Sequence, residues 1–409
     1  MKKILYIHHG VGIGGAPISL LNLIKPLDRT KYHPIILFLF ESPAIDLFRN
    51  AGIEVLGPVN YSDFSHTKIW WYRWYHVHHL VRALWGTYKI LTEIGLWWIA
   101  KIKPDIIHLN TTSLWPWAVV ARKMGIRVIC HVREPLAPGY LGLRRALVRW
   151  AVGRYADDIV AICKNDARPW ATLAKTQVLY NAVDCAKFMP AQVMMDKPFT
   201  IGYVGGLSKE KGVLAILQAV QLLHARGHKV RLMIAGFWPA PHSLPVRHSF
   251  SDGGSGFLQK NVSKGWQKIR DRIVPSDRYR KKVEKLVQEL GEYVHIFGVV
   301  NNMHEIMRQM DVVTFPATVG HFARPIIEAG ALGKPVIASD VPPLDELVED
   351  GVTGFLIPPH DVAAWADALQ SLMYDFELAH LMSLAGRENV ENKFSLAQQA
   401  KKVDQIYSQ

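Results

Sequence analysis

The stretch DVVTFPATVGHFARPIIEAGALGKPVIASD, residues 311–340, is richest in side chains that can bind a phosphorylated ligand. Its strand leads into a loop and a short helix, since Pro325 suits a first helical turn and Gly333 a C-cap. Arg324 and Glu328 are four residues apart and so lie on one face of that helix. Free N–H groups at the helix start and Arg324 can hold a diphosphate, while Glu328 can accept hydrogen bonds from ribose hydroxyls. The alternative is an ordinary surface ion pair between the two residues.

Glycine-rich turns follow the first strand of each half of the chain. In GVGIGGAPISLL, Gly14 and Gly15 precede a helix, and in TIGYVGGLSKEKG, Gly205 and Gly206 precede Lys211. Glycine lets backbone N–H groups approach a phosphate or sugar closely, and Lys211 can add a point charge to a diphosphate. The first loop lacks GxGxxG spacing and a Walker lysine, so a simple tight turn is its alternative. A solvated lysine is the alternative for Lys211.

The elements that must position these residues alternate regularly. Seven short β-branched runs, from KILYIHH to TQVLYN, are separated by helical patterns in the first half, and six more, from TIGYVG to TGFLIP, in the second. Such alternation is typical of parallel sheets built from βαβ units, and two series predict two doubly wound α/β domains. Lys187–Pro198 contains two prolines and no periodicity. This predicted seam gives domains of residues 1–190 and 191–390.

Positive charge is concentrated in the first half. Residues 1–195 contain 24 Lys and Arg against 12 Asp and Glu, whereas the rest of the 409-residue chain is nearly neutral. Such a basic surface can attract nucleic acid, an anionic membrane or a phosphorylated substrate. Three scattered cysteines exclude a disulfide framework and a CxxC metal site, which favours a reduced cytosol. The first apolar run is too short for a signal peptide, and charges interrupt every long one, so we expect no transmembrane helix.

Two segments interrupt the alternation. Residues 239–280 are interpreted as an inserted surface loop followed by a helix. Residues 68–103 hold six of the 13 tryptophans, among lysines and arginines. An apolar face recurs there at helical spacing, at Val77, Val81, Leu84, Tyr88, Leu91, Gly95, Trp98 and Ile102. It predicts either a helix packed on its own sheet or a segment in a membrane interface, and both can hold for different residues. The histidines within it lack the companions of a metal site.

The order of motifs resembles the GT4 group of retaining glycosyltransferases. The resemblance rests on the GxGGA loop, VGxLxxxKG, RPxxEAxAxGxPVIASD and ELVxDGxTGFLIPPxD, and covers almost the whole chain. It implies the GT-B fold, in which two Rossmann-like domains with parallel sheets face each other across a cleft. It further implies that a C-terminal helix, about residues 391–409, packs back on the N-terminal domain. Residues 1–190 would then bind the acceptor and residues 191–390 the nucleotide sugar.

The resemblance also implies roles for individual residues. Gly14 and Gly15 match the loop that faces the donor sugar and acceptor, Lys211 the lysine on the pyrophosphate, and Glu328 the second glutamate of an E-x7-E element, which binds ribose. His131 looks like the histidine near the reacting sugar, and its neighbours Arg133 and Glu134 are expected to contact the acceptor. Glu346 matches a position of structural importance. The remaining residues expected to line the donor site are Gly205, Gly206, His321, Phe322, Arg324, Pro325 and Ile326.

Two departures from the family pattern concern the donor site. Gly206 stands where the family usually has arginine, so one cation for the pyrophosphate is missing, and we expect Arg324 to compensate. Gly320 stands where the first glutamate of the E-x7-E element should hold the transferred sugar. His321 or a backbone group must therefore replace that glutamate, or activity is reduced.

The sequence thus predicts a retaining glycosyltransferase that uses a UDP- or GDP-sugar and a glycan or lipid-linked acceptor. We expect it in cell-surface polysaccharide or glycolipid synthesis, in peripheral contact with the anionic cytoplasmic face of the membrane. No cofactor or metal is expected, in keeping with the lack of a DxD triplet. The alternative is a non-catalytic sugar-nucleotide or glycan-binding module with a degenerate site. Nucleic acid is not an expected partner, because the basic half has no recognised nucleic-acid motif.

Overall fold

A computed structural model describes most of the chain in two compact units. The N-terminal unit comprises Met1–Ala186 and Val390–Gln409, and the C-terminal unit comprises Lys187–Asn389. The described residues are 1–10, 12–60, 77–136, 140–173, 176–190, 197–236, 275–298, 300 and 302–409. Most of the inserted segment 239–280, and residues 68–76 of the tryptophan-rich segment, lie outside these ranges.

The N-terminal unit is built on a parallel sheet of seven strands in the order β3-β2-β1-β4-β5-β6-β7. The strands are β1 Lys2–His8, β2 Tyr32–Phe38, β3 Glu54–Leu56, β4 Ile106–Leu109, β5 Arg127–Val132, β6 Asp158–Ala161 and β7 Thr176–Val178. The helices are α1 Gly15–Ile24, α2 Ala44–Asn50, α3 Val77–Lys89, α4 Gly95–Ile102, α5 Trp115–Lys123, α6 Leu143–Tyr155, α7 Lys164–Ala167 and, from the chain end, α14 Leu396–Ser408.

Helices cover both faces of this sheet, because alternate residues of each strand point to opposite sides. On one face, Ile4 and Tyr6 of β1 pack with α1, α2 and α14. On the other, Leu5 and Ile7 pack with α4 and α5, including the fully buried Trp117. Because helices cover both faces of the sheet, apolar side chains are needed on both sides of each strand. The strands therefore appear in the sequence as continuous apolar runs.

The C-terminal unit has a six-stranded parallel sheet in the order β10-β9-β8-β11-β12-β13. Its strands are β8 Thr200–Val204, β9 Arg231–Ala235, β10 Val294–Ile296, β11 Val312–Phe315, β12 Val336–Ser339 and β13 Gly354–Ile357. Its helices are α8 Val213–Ala225, α9 Pro275–Leu290, α10 Met303–Arg308, α11 Arg324–Ala331, α12 Val362–Tyr374 and α13 Phe376–Lys393, the last of which continues from Val390 into the N-terminal unit. One core cluster joins α8, α9 and α12 to this sheet around Trp365. All 13 predicted strands are found within the described ranges, which confirms two doubly wound α/β units.

The apolar face predicted within residues 68–103 is exposed in its first part and buried in its last part. Val81, Leu84 and Tyr88 are each more than half exposed, and Ala83 and Ile90 face the core instead. The reason is a π-helical turn at Ile90–Ile94 between α3 and α4. A π turn adds a residue to the helical repeat and so rotates the residues before it relative to those after it. Large apolar residues of α3 therefore face solvent, while Gly95 and Ile102 remain buried as predicted.

Candidate active site

The loops that follow β8 and β11 meet in the C-terminal unit. The strand order reverses between these two strands, and ligands of doubly wound folds bind outside the carboxyl ends of strands at such a reversal. Thr318, in the loop after β11, donates its N–H to the carbonyl of Glu210 at 2.9 Å and its hydroxyl to that of Lys209 at 3.2 Å. The tertiary fold thus joins two motifs that are separate in the sequence.

Lys211 and His321 are hydrogen-bonded to each other across these loops. The Nδ1–H of His321 donates to the carbonyl of Val319 at 3.0 Å, so its Nε2 accepts from the ammonium of Lys211. Burial, and then the charge of Lys211, lower the pKa of His321 to about 4, which keeps this ring neutral at pH 7. Burial lowers the pKa of Lys211 to about 8, so most of it is charged at pH 7. This lysine is a partly buried cation, not a solvated surface residue.

Arg324 and Glu328 form an ion pair at the start of α11. Their side chains are 19% and 6% exposed, respectively. The ion pair that the sequence allowed therefore exists, although it is largely buried rather than on the surface. Arg324 is held in place by Glu328 and still lies only three residues from His321. We call Lys211, His321, Arg324 and Glu328 the basic site.

The close packing around Gly320 explains why this position does not hold the first glutamate of the family pattern. A Cβ atom at this position would lie 1.6 Å from the carbonyl oxygen of Pro342, so no side chain fits there. Gly212 is constrained in the same way, because its φ is +72° and a Cβ atom there would lie 1.7 Å from the carbonyl oxygen of Pro316. The loops of the basic site thus approach neighbouring backbone so closely that only glycine is accommodated.

The other residues expected at the donor site are placed as follows. Phe322 and Ile326 are buried, so their side chains belong to the protein interior. Pro325 lies in the first turn of α11. Gly205 donates its N–H to the carbonyl of Ala235 at 3.0 Å, and the carbonyl of Gly206 accepts from the hydroxyl of Tyr203 at 2.7 Å. These bonds hold the turn after β8 in place.

His131 lies at the end of β5 in the N-terminal unit and is completely buried. Its Nδ1 is 3.0 Å from Nε2 of His108 on β4. Nδ1 of His108 is 2.7 Å from the hydroxyl of Tyr407 on α14, which lies 2.8 Å from that of Tyr6 on β1. One continuous chain of hydrogen bonds therefore joins three strands and the last helix.

A second row of polar residues lies beside this chain. Arg133 donates from Nε to Oδ1 of Asn110 at 2.6 Å and from Nη1 to Oδ1 of Asn181 at 2.9 Å. Nδ2 of Asn110 is 2.9 Å from Nδ1 of His8. Glu134, the neighbour of Arg133, accepts from the hydroxyl of Thr111 at 3.0 Å. We call the two rows the histidine network; its members are Tyr6, His8, His108, Asn110, His131, Arg133, Asn181 and Tyr407.

Three enclosed nitrogen atoms of this network have no hydrogen-bond partner among the described residues: Nε2 of His8, Nε2 of His131 and Nη2 of Arg133. Burial, assisted by neighbouring charge, lowers the pKa of both histidines well below the usual value, so both rings are neutral. Burial also lowers the pKa of Arg133, to about 9, which leaves the guanidinium charged at pH 7. A buried polar atom without a partner in the protein requires one from elsewhere, such as a bound ligand or water molecule.

Only part of the histidine network could be found from the sequence. His131 and Arg133 were predicted, whereas the other six members were not: Tyr6, His8, His108, Asn110, Asn181 and Tyr407. A signal was present in part, because polar residues two apart at the carboxyl ends of β1, β4 and β5 share one face of the sheet. Tyr407 gave no such signal, since only the packing of α14 brings it to that face.

Gly14 and Gly15 begin α1 and are exposed, and a Cβ atom at either would meet nothing within 4 Å. Packing within the protein therefore does not explain these glycines. No cluster of three His, Cys, Asp or Glu residues suited to a metal ion is found in the described ranges. Within the same ranges, no helix combines the length and apolarity needed to cross a membrane.

Comparison with known proteins places both units in one family. The family model Glycosyltransferase Family 4 matches residues 13–187, and the model Glycosyl transferases group 1 matches residues 186–389. CapM of Staphylococcus aureus, a capsular polysaccharide biosynthesis glycosyltransferase, is 28% identical over 202 residues, which are 49% of this chain and 44% of CapM. Glycogen synthase of Mycobacterium tuberculosis is 25% identical over 324 residues, 75% of this chain and 69% of that protein.

Solved structures share the fold at low sequence identity. Anabaena HepE, solved with UDP and glucose, superimposes with a TM-score of 0.73 at 18% identity over 100% of both chains. The match covers less than half the length of CapM, so the activity named for CapM describes that protein and is not transferred to this chain. The two family matches, together with the two parallel sheets, show that this chain is a member of the GT4-type glycosyltransferase family with the GT-B fold.

Proposed function

We propose that this protein is a retaining glycosyltransferase that transfers a sugar from a nucleoside-diphosphate sugar to a glycan or lipid-linked acceptor. The observation that carries the proposal is the basic site, where two loops bring Lys211 beside the start of α11. A leaving diphosphate develops negative charge on its bridging oxygen, and fixed cations and N–H dipoles stabilise that charge. Lys211 and Arg324 supply the cations without a metal, and Glu328 accepts from the ribose.

UDP is the favoured nucleotide, because HepE was solved with UDP and UDP-glucose. The reaction breaks the bond between the anomeric carbon and the diphosphate oxygen and forms one to the acceptor oxygen on the same face of the sugar. The leaving phosphate takes the acceptor's proton. The acceptor lies with Gly14, Gly15, His131, Arg133 and Glu134 in the N-terminal unit, and the similarity to CapM supports a role in cell-surface polysaccharide synthesis.

A donor panel tests this proposal. Purified protein is mixed with UDP, GDP and their common sugars, and the melting temperature is recorded, since a bound donor stabilises the folded state by mass action. Proton NMR of the products with a lipid-linked or glycan acceptor reports transfer and anomeric configuration, with and without a metal chelator. Binding without transfer or donor hydrolysis would favour the non-catalytic module, and no binding at millimolar concentration would refute the proposal.

We also propose peripheral contact with an anionic membrane on the cytoplasmic side, through the exposed faces of α3 and α6. On α6, Leu143, Leu147 and Trp150 are exposed at helical spacing, beside the exposed Arg145 and Arg149. On α3, the exposed residues are Val81, Arg82, Leu84, Trp85 and Tyr88. Aromatic and leucine side chains among arginines suit the boundary between acyl chains and anionic headgroups.

Vesicle flotation tests the membrane contact. We expect binding to vesicles that contain phosphatidylglycerol, little binding to neutral phosphatidylcholine, and release by salt. The double variant Arg145→Glu, Arg149→Glu should lose binding, whereas Lys281→Glu, Lys282→Glu on α9, with the same charge change, should retain it. Equal binding by both variants would refute the assignment to α6.

A further inference from the structure

The hydrogen-bond chain from Tyr6 to His131 can run in only two directions. Each of its four members is neutral, because burial raises the pKa values of both tyrosines and lowers those of both histidines. Each hydroxyl and each imidazole therefore has one proton to donate. If protons point from Tyr6 toward His131, the Nε2 of His131 carries a hydrogen; if they point the other way, it is a bare acceptor.

The surroundings of Tyr6 distinguish the two directions. Tyr6 is completely buried, and among the described residues its hydroxyl contacts only that of Tyr407. In the direction from His131 to Tyr6, the Tyr6 O–H would be a buried donor with no acceptor, and the bare Nε2 of His131 would be a second buried atom without a partner among the described residues. In the opposite direction the only atom of the hydrogen-bond chain that the described residues leave unpaired is Nε2–H of His131, a donor that a ligand can satisfy.

The second row of the network yields the same result for His8. An arginine can only donate, so the atom of Asn110 that faces Nε of Arg133 must be its oxygen. The amide nitrogen of Asn110 therefore faces Nδ1 of His8 and donates to it at 2.9 Å. His8 must then carry its proton on Nε2. Gly10 leaves room beside that atom, since a Cβ there would lie 2.7 Å from Nε2.

We infer that His108 and Tyr407 are positioning residues that hold His131 as the Nε2–H tautomer, so that His131 donates a hydrogen bond to a substrate oxygen and does not act as a general base. This inference rests on the proposed function for the identity of the substrate. With Nε2–H of His8 and Nη2–H of Arg133, the network offers donors only. It suits a ligand group with acceptor oxygens, such as sugar hydroxyls or a phosphate, and leaves proton acceptance to the substrate itself.

The tautomer can be measured without any activity. In protein labelled with ¹⁵N-histidine, two-bond correlations between ring protons and nitrogens show which nitrogen carries the hydrogen. The signals of His131 are assigned by their loss in His131→Gln, and those of His8 by their loss in His8→Gln. Nε2–H on both residues is expected at pH 7. Nδ1–H on His131 would overturn the inference, whether or not the protein transfers a sugar.

A variant separates positioning from simple structural support. Tyr407→Phe removes the hydroxyl that donates to His108, so the ring of His131 should populate both tautomers, and kcat should fall about tenfold with the donor KM unchanged. Tyr374→Phe is the matched control, because its hydroxyl also lies 2.8 Å from a histidine, His228, but at the surface. A folded Tyr407→Phe protein whose His131 keeps a single Nε2–H tautomer would refute the positioning role of Tyr407.

Discussion

In the C-terminal unit, His321 donates from Nδ1 to a backbone carbonyl and accepts at Nε2 from Lys211, whereas in the N-terminal unit we infer that His131 accepts at Nδ1 and donates from Nε2. Both rings are neutral, with His131 fully buried and His321 half-buried, and both lie near the reversal of strand order in their sheet. Their roles differ because their partners differ. A neutral imidazole has one N–H. A carbonyl oxygen beside Nδ1 keeps the hydrogen on Nδ1, so Nε2 is an acceptor; a donor beside Nδ1 leaves the hydrogen on Nε2, so Nε2 is a donor.

The two units also differ in how their glycines are used. The backbone around Gly320 is packed against Pro342, while the space around Gly14 is open. Contacts within the protein therefore require glycine in the loop at Gly320. The loop at Gly14 is open, so a ligand can approach it, as we propose for the acceptor.

The largest expected effect contrasts these two glycines. Gly320→Ala must displace the backbone near Pro342, and we expect it to lower the free energy of unfolding by about 3 kcal/mol. Gly14→Ala meets nothing within 4 Å and should change stability by no more than about 0.5 kcal/mol. Chemical denaturation measures both values. Equal stability of the two variants would show that the loop at Gly320 adapts readily.

The next largest effect is on UDP affinity, and it tests whether the nucleotide binds at the basic site. Lys211→Ala removes a charge-assisted contact, and we expect UDP affinity to fall by about 2 kcal/mol, roughly 30-fold. Lys209→Ala, an exposed lysine two residues away, should change it by less than about twofold. His131→Ala should leave UDP affinity unchanged, since it alters only the histidine network. Calorimetric titration reports all three, and a loss of UDP binding in His131→Ala would contradict this division of roles.

A third prediction compares a buried tyrosine–histidine bond with an exposed one. Tyr407→Phe removes two buried hydrogen bonds and should lower the free energy of unfolding by about 1.5 kcal/mol. Tyr374→Phe removes a similar bond at the surface, where water replaces it, and should cost less than about 0.5 kcal/mol. Thermal unfolding measures the difference. Comparable losses of stability would mean that burial does not strengthen the hydrogen bonds of the histidine network.

The smallest effect is a pH dependence confined to the basic site. The pKa of Lys211 is lowered to about 8, so the lysine is charged below that pH and loses its charge as the pH rises through it. UDP affinity should therefore be highest below pH 8, be reduced about twofold at pH 8 and fall further by pH 9. In Lys211→Arg the decline should disappear, because arginine remains charged. A decline that persists in this variant would place the titrating group elsewhere.

Much of the fold could be predicted because its signals are local. Each strand is a short β-branched run, and each turn near the basic site has its own glycine or proline, so the strands and the two units follow from pattern alone. For the same reason, the local pattern could not decide which part of the apolar face of residues 68–103 is buried. A spacing rule assumes a regular helix, and the π turn at Ile90–Ile94 shifts the face without any mark in the local pattern.

The sequence by itself determined which chemical groups stand at the ends of the strands: Lys211, Arg324 and Glu328 in one unit, and His131 and Arg133 in the other. Only the tertiary structure decided what those groups can do. It pairs Arg324 with Glu328, closes Pro342 over Gly320, and brings Tyr407 from the end of the chain to His108. Hydrogen-bond direction, pKa and steric exclusion depend on neighbours within a few ångströms, and those neighbours are distant in sequence.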